Sequence, residues 1–148
     1  MKKIIYIDMD DVLCDFSSAH KKALLENPEI IYPQNKYGYW QKLKPLKNAI
    51  ETVAYLKEHF DVYILSSPSI YNPFCYAEKR VWVEEHLGFD MLEKLILSHN
   101  KGLNKGDYLI DDHINGKGQE NFEGELVHFC SEEFPDWDKV KKYFKNII

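Results

Sequence analysis

The sequence predicts an α/β fold, a Rossmann-like three-layer arrangement around a parallel sheet. Short apolar runs of strand type alternate along the chain with stretches in which apolar residues recur every three or four positions. Strands separated by helices are typical of mainly parallel sheets with helices packed against them. The chain has 148 residues, of which 45% are hydrophobic, so we expect residues 1–148 to form a single domain with one packed core.

The first predicted strand is the isoleucine-rich run KIIYID at residues 3–8. Similar runs predict four more strands, at residues 61–66, 94–98, 107–111 and 125–129. Apolar residues at helical spacing predict helices over residues 45–59 and 75–87, and a terminal helix whose apolar face carries Trp137, Val140, Phe144 and Ile147.

Residues 17–44 interrupt this alternation. The segment begins with a helical pattern, and then Pro28, Pro33, Gly38 and several aromatic residues indicate irregular structure. We therefore expect a small insertion after the first strand.

Charge and composition argue against several kinds of partner. The net charge is −5 and Arg80 is the only arginine, which is unfavourable for binding a nucleic acid polymer or an anionic membrane. The apolar runs are far shorter than the roughly 18 residues of a membrane span, and the N-terminal residues lack a signal-peptide pattern. The three cysteines have no metal-binding spacing, so we expect reduced thiols in a cytoplasmic protein.

Polar side chains lie where the predicted strands end. The first strand ends in DMDD (residues 8–11), the second in Ser66 and Ser67, and the fourth in Asp111 and Asp112, while Lys101 follows the third. Ligands of parallel α/β sheets bind at the carboxyl ends of the strands. We therefore expect these residues to meet at one edge of the sheet.

The carboxylates of Asp8, Asp10, Asp111 and Asp112 would repel one another strongly at a shared site. A hard divalent cation relieves such repulsion, and octahedral oxygen coordination suits Mg²⁺. Acidic residues after strands also commonly cap helices or turns. The combination of DxDD, DD, paired serines and a lysine favours a site that handles phosphate and magnesium.

These motifs resemble those of the haloacid dehalogenase-like phosphohydrolase superfamily, and the resemblance covers nearly the whole chain. DMDDV (residues 8–12), LSS (65–67), Lys101 and LIDD (109–112) are similar to its four motifs. The longer strings DMDDVLCDF, SSPSIYNPFCYAEKRVWVEEHLG and NKGLNKGDYLIDD resemble the 5'(3')-deoxyribonucleotidases. The resemblance implies that residues 17–44 form a small cap.

The resemblance implies a role for each carboxylate. Asp8 would attack phosphorus and form an aspartyl-phosphate, and Asp10 would serve as general acid and then as general base. Mg²⁺ would be held by the Asp8 carboxylate, the Asp10 backbone carbonyl and Asp112, with Asp111 in support.

The resemblance also implies phosphate-binding residues. Ser66 would donate its hydroxyl to the phosphoryl group with Ser67 beside it, although serines after a strand are also common turn residues. Lys101 would neutralise phosphoryl charge, with Lys105 as the local competitor. Lys79 matches a second phosphate-side lysine, although a lysine on a helix is as often a surface residue.

Base recognition is implied for Phe16, which would stack against a nucleobase, although a core phenylalanine is an equal alternative. Tyr37, Tyr39 and Trp40 would form a lid or simply pack the insertion.

The chain departs from the family pattern at several positions. Asp11 stands where a glycine is usual and adds negative charge near the site, Ser66 replaces a threonine, and Ile70 stands where a phosphate-side lysine can occur. These changes preserve phosphatase chemistry and leave the substrate open.

The sequence thus predicts an enzyme that hydrolyses (deoxy)nucleoside monophosphates with Mg²⁺. A phosphatase for a sugar phosphate or another small phosphomonoester is the main alternative. A receiver-like phosphoacceptor module is a remote one, because receivers carry the phosphoacceptor aspartate after a middle strand.

Overall fold

Five parallel strands form one sheet in the computed structural model, which describes residues 1–148. The strands are β1 (Ile4–Ile7), β2 (Asp61–Ser66), β3 (Leu95–Leu97), β4 (Tyr108–Asp111) and β5 (Glu125–His128). Their order across the sheet is β3-β2-β1-β4-β5, so β1 pairs with β2 on one side and with β4 on the other. The predicted α/β fold with a parallel sheet is confirmed.

Four helices accompany the sheet: α1 (Phe16–Glu26), α2 (Ala49–His59), α3 (Phe74–Leu87) and α4 (Trp137–Ile147). The start of α2 differs from the predicted start at residue 45. Asn48 has a left-handed backbone (φ 63°), and the Leu46 N–H donates to the Leu13 carbonyl at 2.8 Å. Residues 45–48 therefore bind the loop after β1 instead of extending the helix. No helix has the length and apolar character needed to cross a membrane.

Alternate residues of the strands face two separate apolar clusters. Ile5 and Ile7 belong to a cluster of 26 buried residues that includes side chains from α2, α3 and α4. Tyr6 points to the opposite face and joins a smaller cluster with Leu65, Leu109 and Phe122. The central strands β1 and β4 are thus buried, which holds their carboxyl ends rigidly.

The segment between β1 and α2 contains α1 and two short 3-10 turns, Pro33–Asn35 and Trp40–Lys42. Helix α1 contains no buried residue, and its first turn is capped by the Asp15 side chain, which accepts from the Ser18 N–H at 3.1 Å. Trp40 and Leu43 of this segment are buried and belong to the main core cluster.

Candidate active site

A cavity of about 220 Å³ lies at the carboxyl ends of β1, β2 and β4. Asp8 directly follows β1, Asp111 ends β4, and Asp112 is the next residue. The cavity is lined by Asp8, Asp10, Phe16, Trp40, Ser67, Lys101, Asp111, Asp112, His113, Lys117 and Gln119. The structure thus brings together most of the residues singled out in the sequence.

A tight turn after β1 places Asp8 and Asp10 at the cavity. The Met9 carbonyl accepts from the Leu13 N–H at 2.8 Å, and Asp11 within this turn has φ 60°. A glycine suits such a left-handed position, and aspartate is among the residues that tolerate it. The Asp11 carboxylate accepts from the N–H and the hydroxyl of Ser17, at 2.8 and 2.6 Å. Its charge therefore interacts with the start of α1, and Asp11 does not line the cavity.

The Lys101 ammonium group joins two carboxylates. It lies 2.8 Å from Asp8 Oδ1 and 2.6 Å from Asp111 Oδ2, and all three residues are buried. Burial alone would lower the pKa of Lys101, but the two facing carboxylates raise it. Lys105 contributes its backbone carbonyl to the Tyr6 hydroxyl and does not line the cavity. The geometry therefore places Lys101, and not Lys105, at the carboxylates.

Lys79 of α3 forms the second ion pair of the site. Its ammonium group lies 3.0 Å from both Asp10 oxygens and 4.8 Å from the centre of a Trp40 ring. The Lys79 side chain is only 1% exposed. Burial alone would lower its pKa, but the charge of Asp10, and more weakly that of other nearby acidic groups, raises it. Lys79 is thus a buried cation beside Asp10 and not a surface residue.

The carboxylates fit a divalent cation. One oxygen each from Asp8, Asp111 and Asp112 lie within 4.8 Å of one another, and Asp112 Oδ1 is buried with no hydrogen-bond partner. Burial and the neighbouring Asp8 charge raise the pKa of Asp112 to about 8, which reflects the cost of crowding these carboxylates without a cation. The Asp10 carboxylate is outside this group, but the Asp10 backbone carbonyl accepts no hydrogen bond.

The two serines after β2 differ in position. Ser67 lines the cavity, and its hydroxyl donates to the Ser98 carbonyl at 2.5 Å. Ser66 is fully buried, its hydroxyl has no partner, and it does not line the cavity. In this structure the serine that faces the cavity is therefore Ser67, and the Ser66 hydroxyl would have to become accessible to reach a ligand.

The Phe16 ring is already stacked. It lies nearly parallel to Trp40 with 5.2 Å between ring centres, and nearly parallel to His20 at 5.4 Å. Both neighbours already use part of the surface of the Phe16 ring. A nucleobase that stacks on Phe16 would therefore compete with them for that surface.

Three cavity residues were not singled out in the sequence. His113, Lys117 and Gln119 lie in the loop after β4, which returns over the carboxylates. The buried Gln119 amide donates to Asp111 Oδ2 at 3.3 Å and helps to orient that carboxylate. The only sequence indication was their closeness to the DD motif.

Comparisons with known proteins agree on one family. Residues 25–134 match the family described as 5' nucleotidase, deoxy (pyrimidine), cytosolic type C protein. A protein of Vibrio phage KVP40 with the provisional name 5'(3')-deoxyribonucleotidase is 44% identical over 96% of this chain and 84% of its own length. The human cytosolic-type 5'(3')-deoxyribonucleotidase is 33% identical, over 70% of this chain and 46% of its own length.

A solved structure supports the fold. A haloacid dehalogenase-like family hydrolase from Xanthomonas campestris superimposes with a TM-score of 0.66, over 99% of this chain and 96% of that chain. Its sequence identity of 10% restricts the comparison to the arrangement of strands and helices.

Proposed function

Because the chain belongs to the 5' nucleotidase, deoxy (pyrimidine), cytosolic type C family of phosphomonoester hydrolases, we propose that it hydrolyses deoxynucleoside monophosphates through an aspartyl-phosphate intermediate. The observation that carries the proposal is the meeting of Asp8, Asp10, Lys101 and Asp112 at one cavity. Two carboxylates for covalent and acid–base chemistry lie there beside cationic groups for a phosphoryl anion.

In the first step Asp8 attacks phosphorus, and the bond between phosphorus and the ester oxygen breaks. Lys101 holds Asp8 through Oδ1, so the attack is assigned to Oδ2. Lys101 also opposes the negative charge that develops on the phosphoryl oxygens. Water then attacks the aspartyl-phosphate, which releases inorganic phosphate and restores the Asp8 carboxylate.

Asp10 supplies a proton to the departing alkoxide and later takes one from the attacking water. Lys79 forms a close ion pair with Asp10 when no substrate is bound. A phosphoryl group that attracts the Lys79 ammonium group would loosen this pair and free the Asp10 carboxyl group for contact with the ester oxygen. Lys79 would thereby couple substrate binding to the release of Asp10.

A divalent metal fits the carboxylate group, and we propose that it is Mg²⁺, held by Asp8, Asp112 and the backbone carbonyl of Asp10. When bound, the ion supplies positive charge that offsets the repulsion between the carboxylates and the phosphoryl group. Asp111 is already bonded to Lys101, Gln119 and the His113 N–H, which supports a positioning role for it.

We further propose that residues 17–44 act as a cap that selects the substrate. Trp40 of this segment and the adjacent Phe16 bring aromatic surface to the cavity, and stacking on an aromatic side chain contributes about 1–3 kcal/mol per base. A small cap favours the smaller pyrimidines, so dUMP and dTMP are the expected preferred substrates.

A substrate panel tests this proposal. Phosphate release would be measured with Mg²⁺ from deoxy- and ribonucleoside 5'- and 3'-monophosphates, sugar phosphates and p-nitrophenyl phosphate. We expect dUMP and dTMP to have the highest kcat/KM. Faster turnover of sugar phosphates than of every nucleotide would reject the nucleotidase and leave a phosphatase of other specificity.

We propose a cytoplasmic location for this activity. The buried free thiols of Cys14 and Cys75 suit a reducing compartment, and the human relative is named as a cytosolic type. Fractionation of the producing cells would test this, and recovery of the protein outside the cytoplasmic fraction would contradict it.

A further inference from the structure

Lys117 lies where the cavity of the carboxylates meets a second, wider cavity. The second cavity has a volume of about 570 Å³ and shares Trp40, Ser67 and Lys117 with the first. Ligand pockets commonly measure about 300–1,000 Å³. The inner cavity of about 220 Å³ is thus too small for a whole nucleotide, and the rest of the substrate would extend into the wider one. The phosphate ester would then lie close to the junction and to Lys117.

The Lys117 ammonium group has no partner within the protein. Only the backbone N–H and carbonyl of Lys117 take part in hydrogen bonds, and its side chain forms no ion pair. The other two lysines of the site are engaged, because Lys101 pairs with Asp8 and Asp111 and Lys79 pairs with Asp10. Lys117 is therefore the lysine whose charge is free to meet an incoming anion.

The backbone of Lys117 is firmly attached to the site. Its N–H donates to Gln119 Oε1 at 2.8 Å, and its carbonyl accepts from the Lys101 N–H at 2.7 Å. The next residue, Gly118, has φ 82°, and a Cβ there would collide with the Asn100 side chain. The lysine therefore extends from a closely packed loop. This loop accepts a hydrogen bond from the Lys101 N–H and, through Gln119, donates one to Asp111.

We propose that Lys117 is a further substrate-binding residue, whose ammonium group pairs with the phosphate group of the substrate where the two cavities meet. This assignment rests on the phosphatase activity proposed above and not on the identity of the nucleoside. A phosphate dianion that enters a carboxylate-rich site needs positive charge that is not already paired, and a lysine supplies it as a mobile point charge.

The test compares Lys117→Met with the matched variant Lys105→Met. Lys105 is an exposed lysine that lines neither cavity, so both substitutions change the net charge equally. The measurements are kcat and KM for p-nitrophenyl phosphate and dUMP, the inhibition constant of inorganic phosphate, and Tm. For Lys117→Met we expect both KM values and the inhibition constant to rise by about tenfold, the effect of one lost charge-assisted hydrogen bond. We expect kcat and Tm to change little, Lys117→Arg to recover much of the loss, and Lys105→Met to resemble the wild type.

Three results would overturn the inference. An unchanged inhibition constant for phosphate would do so, even if KM for dUMP alone increased, because the lysine would then contact the nucleoside. A fall in Tm and kcat at constant KM would indicate a structural role. An equal effect of Lys105→Met would indicate nonspecific attraction. If the wild type hydrolyses p-nitrophenyl phosphate but no nucleotide, the nucleotidase proposal fails while the test of Lys117 remains valid.

Discussion

Asp8 and Asp111 share a single ammonium group, and this sharing protects the fold from changes at Asp8. Lys101 lies 2.6 Å from Asp111 Oδ2, so a buried charge pair remains if Asp8 becomes neutral. Removal of one member of a buried charge pair is costly mainly when it leaves the other without a partner. Substitution of Asp8 should therefore separate catalysis from stability.

Replacement of the proposed nucleophile is the most direct test of the mechanism. We expect Asp8→Asn to lower kcat by roughly 10³-fold or more, as in other enzymes that lose a covalent nucleophile. Asp10→Asn should lower it by about 10²–10⁴-fold, the usual contribution of general acid–base catalysis. Phosphate release and Tm would be measured together. An Asp8→Asn variant that turns over near the wild-type rate would exclude the aspartyl-phosphate.

Glu78 is a buried acid that lies outside the proposed chemistry. It is 2% exposed, and neither of its carboxylate oxygens makes a hydrogen bond of good geometry. Burial raises its pKa, while the nearby N–H groups of Gly38 and Trp40 and the charge of Lys42 oppose the increase. Glu78 thus lies buried between α3 and the 3-10 turn that carries Trp40.

The raised pKa of Glu78 gives a pH dependence of known sign. The folded protein holds the Glu78 proton more tightly than the unfolded chain does, so this group favours folding at low pH. That contribution is lost as the pH rises from the ordinary glutamate pKa near 4.5 through the raised pKa that Glu78 has in the folded protein. We expect Glu78→Gln to show a smaller loss of unfolding free energy than the wild type between pH 4 and pH 8, measured by urea denaturation.

The exposed Glu85 on the same helix provides the control for this prediction. Glu85→Gln, measured in parallel, shows what the removal of an exposed carboxylate from α3 does by itself. A pH dependence that is the same in Glu78→Gln and the wild type would show that Glu78 ionises as it does in the unfolded chain.

At the scale of elements, the junction between β1 and α1 depends on Asp11. Its left-handed backbone makes the turn, and its carboxylate holds the first turn of α1 through Ser17. Asp11 thereby both adopts the left-handed backbone and binds Ser17, whereas a glycine could only adopt the backbone conformation. The extra negative charge expected from the sequence is bound at the helix start.

Two substitutions of Asp11 separate these tasks. Both Asp11→Gly and Asp11→Ala lose the bonds to Ser17, but only alanine retains the strain of a left-handed backbone. We expect Asp11→Ala to be the less stable by about 1 kcal/mol, measured by urea denaturation. Equal stabilities would mean that the turn rearranges in the variants.

The sequence predicted the strands well and the start of α2 poorly, and the reason is local. Strands end where an apolar run gives way to polar residues, and this change is visible in the sequence. Strand β2 was therefore predicted with its observed bounds. Leu46 continues the apolar spacing of α2, but its N–H is bonded to Leu13, a partner that spacing cannot reveal.

The candidate site was predictable where short motifs carry it. Asp8, Asp10 and Asp112 lie within or beside strand ends, and Lys101 has a recognisable spacing from Asp111. Phe16 and Trp40 were both singled out, but their direct stacking on each other was not predicted, because contact between α1 and Trp40 depends on how the insertion folds back. Lys117 and Gln119 were missed because an irregular loop brings them to the site.

At the scale of the whole molecule, metal binding and folding stability should be linked. The carboxylates converge only in the folded chain, so a cation that binds them stabilises the native state. We expect Mg²⁺ to raise the free energy of unfolding by about 2.7 kcal/mol at a concentration a hundredfold above its Kd. EDTA should reverse the effect and abolish turnover.

Asp112→Ala is the matching variant for this prediction. It should eliminate both the Mg²⁺-dependent increase in Tm and the activity. Ca²⁺ should increase Tm without supporting turnover, because its looser coordination misplaces the reacting groups. Full turnover in metal-free buffer would reject the metal requirement.

The contrast between the central strands and α1 has a consequence for how the protein fluctuates. Strands β1 and β4 are paired on both sides, whereas α1 contributes no buried residue. Backbone amides of β1 and β4 should therefore exchange with deuterium only through global unfolding, while those of α1 exchange through local opening at much lower free energy. Such opening would let product leave and substrate enter while Asp8 and Lys101 keep their places. Similar exchange rates in α1 and β1 would show instead that α1 and the sheet open as one unit.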